Sequence, residues 1–199
     1  MGEIGTIFGG LTGKSKTDFI NGNSRYVSYV NVFNNLAVDT KKNDFVKVEP
    51  NERQRTLQQG DIIFTGSSET SEEVGMSSVV TNEIDEPIYL NSFCIGYRLA
   101  DTNIIDPEFS KHLFRSEELR KQIVRTASGV TRFNVSKSRL AQVKIPILDL
   151  TEQKRIANIL DKFDALVNDL SSGLPAEIKA RRQQYEHYRD RLLTFKEAA

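Results

Sequence analysis

The chain has 199 residues, enough for one ordinary domain and an appendage, and its 27 basic residues balance 27 acidic ones. A single cysteine, Cys94, excludes a disulfide framework. No apolar run reaches the ~18 residues of a membrane span, and the first residues lack a signal-peptide pattern. We therefore expect a cytoplasmic protein in a reducing compartment, with no membrane partner and no generally cationic surface.

Residues 1–150 combine short strand-like runs with turn sequences such as those at 21–23 and 85–87. The predicted strands are residues 3–8, 26–32, 45–48, 61–65, 78–80, 88–90, 92–99 and 142–147. A helix is predicted to begin at Pro107 and to end near Ala127, in one piece or two. Strands that do not alternate regularly with helices predict an α+β fold for this β-rich domain.

Residues 151–199 have the period of a coiled coil, with apolar residues spaced three and four apart and only Arg181 breaking the pattern. These seam residues are Ile156, Ile159, Phe163, Leu166 and Leu170, then Ile178, Tyr185, Tyr188, Leu192 and Phe195. We predict two helices of about 20 residues, each ~30 Å long, with a break near Gly173. So narrow a stripe favours pairing with another helix; the alternative is packing on the chain's own domain.

Charge is distributed unevenly along the chain. Residues 57–96 contain seven acids and no lysine or arginine, whereas residues 111–144 contain nine basic residues and two acids. The predicted helix would gain a strongly basic surface from Arg115, Arg120, Lys121 and Arg125. A protein that holds phosphate needs a locally basic surface, because each neutralised phosphate releases counterions. The pattern fits nucleic-acid binding, although charged segments are also common on solvated faces.

The familiar enzyme signatures are missing from the sequence. Residues 9–15 (GGLTGKS) resemble a phosphate-binding loop, but Phe8 stands where that motif needs its first glycine. One cysteine and two histidines, His112 and His187, cannot form a CxxC or HExxH metal site. No G-x-S-x-G, glycine-rich cofactor loop or Asn/Asp-Pro-Pro-aromatic motif supports a hydrolase or methyltransferase. We predict no catalytic residue, no metal site and no cofactor in this chain.

Several segments, in order, carry a family resemblance: GEIGTIFGGLTGKSKTDF, YVSYVNVFNN, GDIIFTGSSET, SGVTRFNVSKSRLAQVKIPI, TEQKRIANILDKFDALVNDL and GLPAEIKARRQQYEHYRDRLL. Together they resemble one half of the specificity subunit of type I restriction-modification enzymes, over essentially the whole chain. The strongest parts are SGVTRFNVSKSRL followed by EQKRIANILDKFD, and the LPAEIKARRQQYEHYRDRLL tail. No single string is diagnostic, but their order and spacing are specific.

The resemblance implies a division of labour. Residues 1–150 would be a target-recognition domain that binds double-stranded DNA. Residues 151–199 would be the helical region for dimerisation, spacing and methyltransferase docking. Such subunits are not catalytic, so adenine methylation and DNA cleavage would belong to methyltransferase subunits and a restriction motor subunit. S-adenosylmethionine would be bound by the methyltransferase partner.

The family pattern has two recognition domains and two helical regions, and this sequence has one of each. A natural half-subunit, a product of gene rearrangement and an expressed fragment are all compatible with it. We expect a two-fold homodimer through the helices, which would read a symmetric bipartite site. The alternatives are an autonomous DNA-binding protein without a methyltransferase partner and a coiled-coil assembly protein.

Candidate DNA contacts follow from residue type and position. Phosphate contacts are expected near glycine- and serine-rich loops, where backbone amides also approach an anion. These candidates are Lys14, Lys16, Arg125, Arg132, Lys137 and Arg139. The candidates for base contact are Thr65, Ser67, Ser68, Arg132 and Asn134. Arginine suits guanine and asparagine suits adenine; the alternative for each candidate is a residue that stabilises a turn.

Overall fold

The computed structural model describes residues 1–168 and 173–192, without the side chains of residues 185 and 189–192. It divides into two compact units, Met1–Lys154 and Arg155–Ala199. The strands are β1 (Gly5–Gly9), β2 (Ser24–Val27), β3 (Phe45–Val46), β4 (Ile62–Thr65), β5 (Ser67–Ser68), β6 (Ser77–Val79), β7 (Ile88–Leu90), β8 (Cys94–Leu99), β9 (Ala127–Ser128) and β10 (Phe133–Val135). The helices are α1 (Tyr29–Asn34), α2 (Pro107–Leu113), α3 (Glu117–Arg125), α4 (Lys137–Leu140), α5 (Leu150–Asn168) and α6 (Leu174–Leu192), with a 3-10 turn at Lys16–Phe19.

The first unit contains three sheets. A four-stranded antiparallel sheet has the order β1-β8-β4-β6, and a second sheet has the order β3-β2-β7, in which β2 and β7 run parallel. The third, β5-β10-β9, is antiparallel. Helices and sheets in one unit confirm the predicted α+β fold.

The core lies around β4, whose residues Ile62, Ile63 and Phe64 are all 0% exposed. Three consecutive buried apolar residues require packing on both faces of the strand. Phe64 contacts the ring of Phe114, just after α2, with ring centroids 5.6 Å apart in an edge-to-face arrangement. This central strand therefore ties the main sheet to the helices that follow it.

An internal ion pair joins neighbouring strands of the same sheet. Asp61, which is fully buried, accepts two hydrogen bonds from the guanidinium of Arg98, at 2.7 and 2.6 Å. Its carboxylate also accepts a bond from the Gln58 amide at 2.8 Å. A buried carboxylate is tolerable only when it is paired and hydrogen-bonded in this way. At least one acid of the acidic stretch thus serves the fold.

Two arginines donate to backbone carbonyls in and after α1, in β6 and in the turn before β6. Arg115 donates to four carbonyls at 2.6 to 3.2 Å, those of Ser77, Val32, Phe33 and Asn35. Arg120 donates to three at 2.5 to 2.9 Å, those of Gly75, Glu72 and Val74. Burial, with the charge of Arg120 as a smaller cause, lowers the pKa of Arg115 to about 10. The Arg115 guanidinium therefore joins the end of α1 to β6, and the Arg120 guanidinium supports the turn before β6.

Most predicted elements are confirmed, with bounds that differ by a few residues. The helix predicted after Asp106 forms in two pieces, α2 and α3, because Ser116 caps a new start between them. Asp106 caps α2 by accepting bonds from the amides of Glu108 and Phe109. Gln153 at the start of α5 is fully buried and donates to the carbonyls of Ile104 and Leu148.

Two strand predictions are wrong. The strand expected at 26–32 ends at Val27 and is followed by α1, where Tyr29 and Phe33 stack at helical spacing. No strand forms at 142–147. The side-chain amide of Gln122 instead bonds both the amide and the carbonyl of Lys144, and so takes the place of a strand neighbour.

The second unit contains α6 and most of α5, in line with the two predicted helices. Five seam residues are exposed: Ile159 (41%), Phe163 (60%), Leu166 (49%), Ile178 (67%) and Tyr188 (56%). Ile156 is half-buried. Leu170 and Phe195 lie outside the described residues, and the side chains of Tyr185 and Leu192 are not described. Within the described ranges, no helix has the length and apolarity needed to cross a membrane.

Candidate nucleic-acid interface

The small sheet β5-β10-β9 brings three polar segments of the sequence together. Its middle strand places Asn134 opposite Ser67 on one side and opposite Ser128 on the other. Ser67 and Asn134 are two of the predicted base contacts. We name this sheet and the hairpin loop at 129–132 the recognition sheet.

The hairpin loop is held by a glycine. Gly129 has φ of +142°, and a Cβ atom at this position would lie 1.9 Å from the carbonyl oxygen of Arg132. Only glycine tolerates both the dihedral angle and the close backbone approach. The turn therefore fixes the position from which the Arg132 side chain leaves the backbone.

Arg132 lies against Ser67 across the recognition sheet. Its Nε and Nη2 atoms donate to the Ser67 hydroxyl at 3.3 and 3.1 Å, while the residue remains exposed. The amide nitrogen of Asn134 donates to the Arg132 carbonyl at 3.1 Å, which leaves its second N–H and its oxygen available. Both side chains are thus positioned by the fold and still have donors or acceptors that point to solvent.

Basic residues follow the recognition sheet directly. Arg139 on α4 donates to the Ser128 hydroxyl at 2.9 Å, and Lys137 begins the same helix. The ammonium of Lys137 would be 3.1 Å from a Cβ placed on Gly9, so it lies beside β1. Arg125, Lys137 and Lys144 are exposed and have no acidic partner within the described residues. This arrangement supplies positive charge next to two polar side chains suited to base edges.

Two open cavities adjoin the recognition sheet. One, of about 350 Å³, is lined by Tyr29, Ser67, Ser68, Glu69, Glu73, Phe93 and Arg132. The other, of about 240 Å³, includes Gly9, Ser67, Phe93, Asn134 and Lys137 in its lining. The Tyr29 hydroxyl donates to the Ser67 carbonyl at 2.9 Å and supports β5 from below. Tyr29 and Phe93 are not among the predicted contacts, because the sequence pattern places both in strands.

Several candidates have different surroundings from those expected. Thr65 is fully buried, and its hydroxyl accepts a bond from the Met76 amide, so it cannot reach a base. Lys14 has a side chain only 4% exposed and is paired with Glu52 at 2.6 Å. Neither side chain is therefore free to contact DNA.

Ser68 and Lys16 are weaker candidates for contact with DNA. Ser68 is 8% exposed and its hydroxyl lies 3.4 Å from a Glu73 carboxylate oxygen, so it lines a cavity without standing free. Lys16 is exposed, but it lies in the 3-10 turn, which contacts β3 of a different sheet.

The expectation of a strongly basic surface on the predicted helix is wrong. The guanidinium groups of Arg115 and Arg120 donate to backbone carbonyls, and Lys121 pairs with Glu117 at 2.6 Å. Of the four residues named for that helix, only Arg125 remains exposed and unpaired within the described part of the chain. The basic surface is narrower than the sequence indicated and is centred on residues 125–144.

Within the described ranges, no group of three or more His, Cys, Asp and Glu side chains could hold a metal ion. The lone thiol of Cys94 is buried, and burial raises its pKa to about 12, so it is protonated at neutral pH. What the recognition sheet offers to a ligand is therefore hydrogen-bonding groups and positively charged side chains.

A protein family accounts for this combination of fold and polar surface. The type I restriction modification DNA specificity domain matches residues 1–180. The chain therefore belongs to this family, as the order of its sequence segments had indicated.

Particular relatives agree with this assignment. A type I restriction enzyme specificity subunit of Escherichia coli is 31% identical over 98% of this chain, which covers 47% of the relative. A putative type I restriction enzyme specificity subunit of Haemophilus influenzae is 32% identical over 67% of this chain and is covered over 29% of its length. The chain thus spans less than half of either relative.

Two solved structures share the fold. The HsdS subunit of Thermoanaerobacter tengcongensis superposes with a TM-score of 0.57 at 18% identity, over 92% of this chain and 41% of its own. The type I restriction-modification S subunit of Mycoplasma genitalium gives 0.55 at 18% identity, over 94% of this chain and 43% of its own. At this identity the likeness concerns the fold alone.

Proposed function

We propose that the first unit binds double-stranded DNA and recognises one half of a split target through the recognition sheet. The observation that carries the proposal is that Arg132, by its side chain, and Asn134, by strand pairing, both lie against Ser67 of β5, beside exposed cations. Sequence-specific DNA binding needs both base-edge contacts and phosphate contacts. This small surface offers candidates for each.

The two roles divide between different side chains. Arg132 and Asn134 are the proposed base contacts, since their guanidinium and amide groups match guanine and adenine edges in the major groove. Arg125, Lys137 and Arg139 are the proposed phosphate contacts, because each carries an exposed charge close to the same sheet. Ser67 acts as a support that orients Arg132.

We further propose that the helices pair with those of a second copy. The exposed apolar residues of α5 and α6 favour a helical partner, since a stripe of this kind is costly to leave in water. A two-fold dimer would supply two recognition domains, which matches a chain that covers 47% of its Escherichia coli relative. If the natural chain is longer, its other half would take the place of the second copy.

The chemistry would belong to other subunits. We propose that the paired helices dock type I methyltransferase subunits, which would bind S-adenosylmethionine and methylate adenine within the site. A restriction motor subunit would join this complex for cleavage, in the cytoplasm where the chromosome lies. The chain itself would hold no cofactor and catalyse no step.

The test is methylome sequencing in a methylation-free host that co-expresses this chain with a cognate type I methyltransferase subunit. A split, palindromic motif carrying N6-methyladenine is expected. An asymmetric split motif would contradict the homodimer and assign the other half-site to a different recognition domain. No methylation by a confirmed complex would contradict the recognition role. If no complex forms, sequence-specific binding by the chain alone would favour an autonomous DNA-binding protein, and dimers without DNA affinity would favour an assembly protein.

A further inference from the structure

Phe93 is an exposed aromatic residue at the edge of the recognition sheet. Its side chain is 61% exposed, although it lies in the short turn that joins β7 to the buried strand β8. Large apolar side chains with this exposure lose favourable burial unless a partner covers them.

The turn that carries Phe93 is fixed by its backbone. The Phe93 amide donates to the Asn91 side chain at 2.8 Å, and the Cys94 amide donates to the Asn91 carbonyl at 3.0 Å. The Gly66 amide donates to the Phe93 carbonyl at 2.8 Å, and a Cβ on Gly66 would approach that oxygen to 2.6 Å. The ring is therefore presented on a rigid support, which reduces the entropy lost on binding.

The position of Phe93 relates it to both proposed base contacts. It lines the cavity that contains Arg132 and also the cavity that contains Asn134 and Lys137, and Ser67 lines both. The aromatic ring therefore lies among polar side chains that include both basic groups (Arg132, Lys137) and acidic groups (Glu69, Glu73). An apolar contact among polar ones suits a surface that reads base edges.

We propose that Phe93 contacts the 5-methyl group of a thymine in the major groove of the recognised half-site, an inference that rests on the proposed function. The thymine methyl is the apolar group that the major groove presents, and phenylalanine is among the side chains that contact it. Insertion between base pairs fits less well, because part of the side chain is covered and its carbonyl is tied to Gly66.

The test uses the complex of this chain with its methyltransferase subunits and duplexes that carry the motif found by methylome sequencing. Each thymine is replaced in turn by deoxyuridine, which lacks only the methyl group. We expect the unaltered chain to lose about three- to five-fold in affinity at one position, the factor for burying one methyl group. Phe93→Ala should bind the thymine duplex more weakly and lose its sensitivity at that position.

Ile20→Ala is the matched control, since Ile20 is an exposed apolar residue (65%) outside the recognition sheet. It should keep both the affinity and the deoxyuridine effect. The proposal is overturned if Phe93→Ala keeps the effect, because another residue then reads the methyl group. It is also overturned if replacement of no thymine by deoxyuridine lowers the affinity. The same holds if the only defect of Phe93→Ala is that it no longer binds the methyltransferase subunits. Failure of the unaltered complex to bind any sequence preferentially would overturn the proposed function as well, and it is detected without any variant.

Discussion

The guanidinium of Arg132 donates to the hydroxyl of Ser67, at 3.3 Å from Nε and 3.1 Å from Nη2, across 65 residues of sequence. This contact joins the hairpin β9–β10 to the strand that follows the central strand β4. Because Arg132 is exposed and Ser67 is 7% exposed, the serine holds one edge of the guanidinium group while the Nη1 donors remain available. The pair gives the proposed recognition surface a defined geometry before DNA arrives.

Replacement of Arg132 tests whether this geometry reads a base. If Arg132 contacts a guanine edge, Arg132→Ala should cost ~1–3 kcal/mol at one base pair and relax specificity there. Binding titrations against duplexes with single substitutions measure this. Arg53→Ala, which removes an exposed arginine outside the recognition sheet, should leave the pattern unchanged. A loss for Arg132→Ala that is equal on all sequences would instead assign Arg132 to phosphate.

Arg115 should matter for stability. Arg115→Ala removes the donor to four backbone carbonyls, and a hydrogen bond from a charged group contributes about 1.5–3 kcal/mol. We expect a loss of about 3 kcal/mol in the free energy of unfolding, measured by urea denaturation.

Lys121→Ala is the control for Arg115, because Lys121 forms an exposed pair with Glu117 on the surface of α3. Such pairs contribute about 0–1 kcal/mol, so this change should be nearly neutral. Equal effects of the two substitutions would refute the internal role of Arg115.

The buried thiol of Cys94 should affect stability at alkaline pH. Burial raises its pKa from 9.0 to about 12, so the folded state keeps a proton that the unfolded state releases above pH 9. The protonated thiol therefore makes its full contribution to the free energy of unfolding below pH 9, and this contribution is lost as pH rises towards 12. Between pH 9 and pH 12, Cys94 should make the free energy of unfolding fall by about 1.4 kcal/mol per pH unit. Cys94→Ala should remove this fall. Identical slopes for the two proteins would contradict this assignment.

The sequence predicted elements best where pattern and local signals agree. The α5 and α6 helices follow from apolar spacing, and α2 follows from Asp106 and Pro107 at its start. The recognition sheet was missed, because strands of two or three residues such as β5 and β9 have too few positions to show alternation. Their existence depends on partners distant in sequence.

The candidate site was predicted in part for a similar reason. Residue type marked Arg132 and Asn134, and the structure places both against Ser67 of β5, which is distant in sequence. Residue type alone could not show that Arg120 donates to backbone carbonyls whereas the charge of Arg125 is exposed. Both lie on one helix, and only the tertiary fold decides which side faces the loop at 72–75.

The final prediction concerns the helical seam. Phe163 is 60% exposed at a seam position of α5, and dimerisation would bury its ring against a partner helix. Phe163→Glu would place a charge in that contact, and burying an unpaired charge is strongly unfavourable. We expect sedimentation equilibrium to detect dimers for the unaltered chain and monomers for this variant. Lys162→Glu introduces the same side chain at an exposed neighbouring position outside the seam and should leave the dimer intact. Dimers of equal stability in all three proteins would mean that copies associate through another surface, and monomers in all three would mean that the exposed stripe is covered by a different protein.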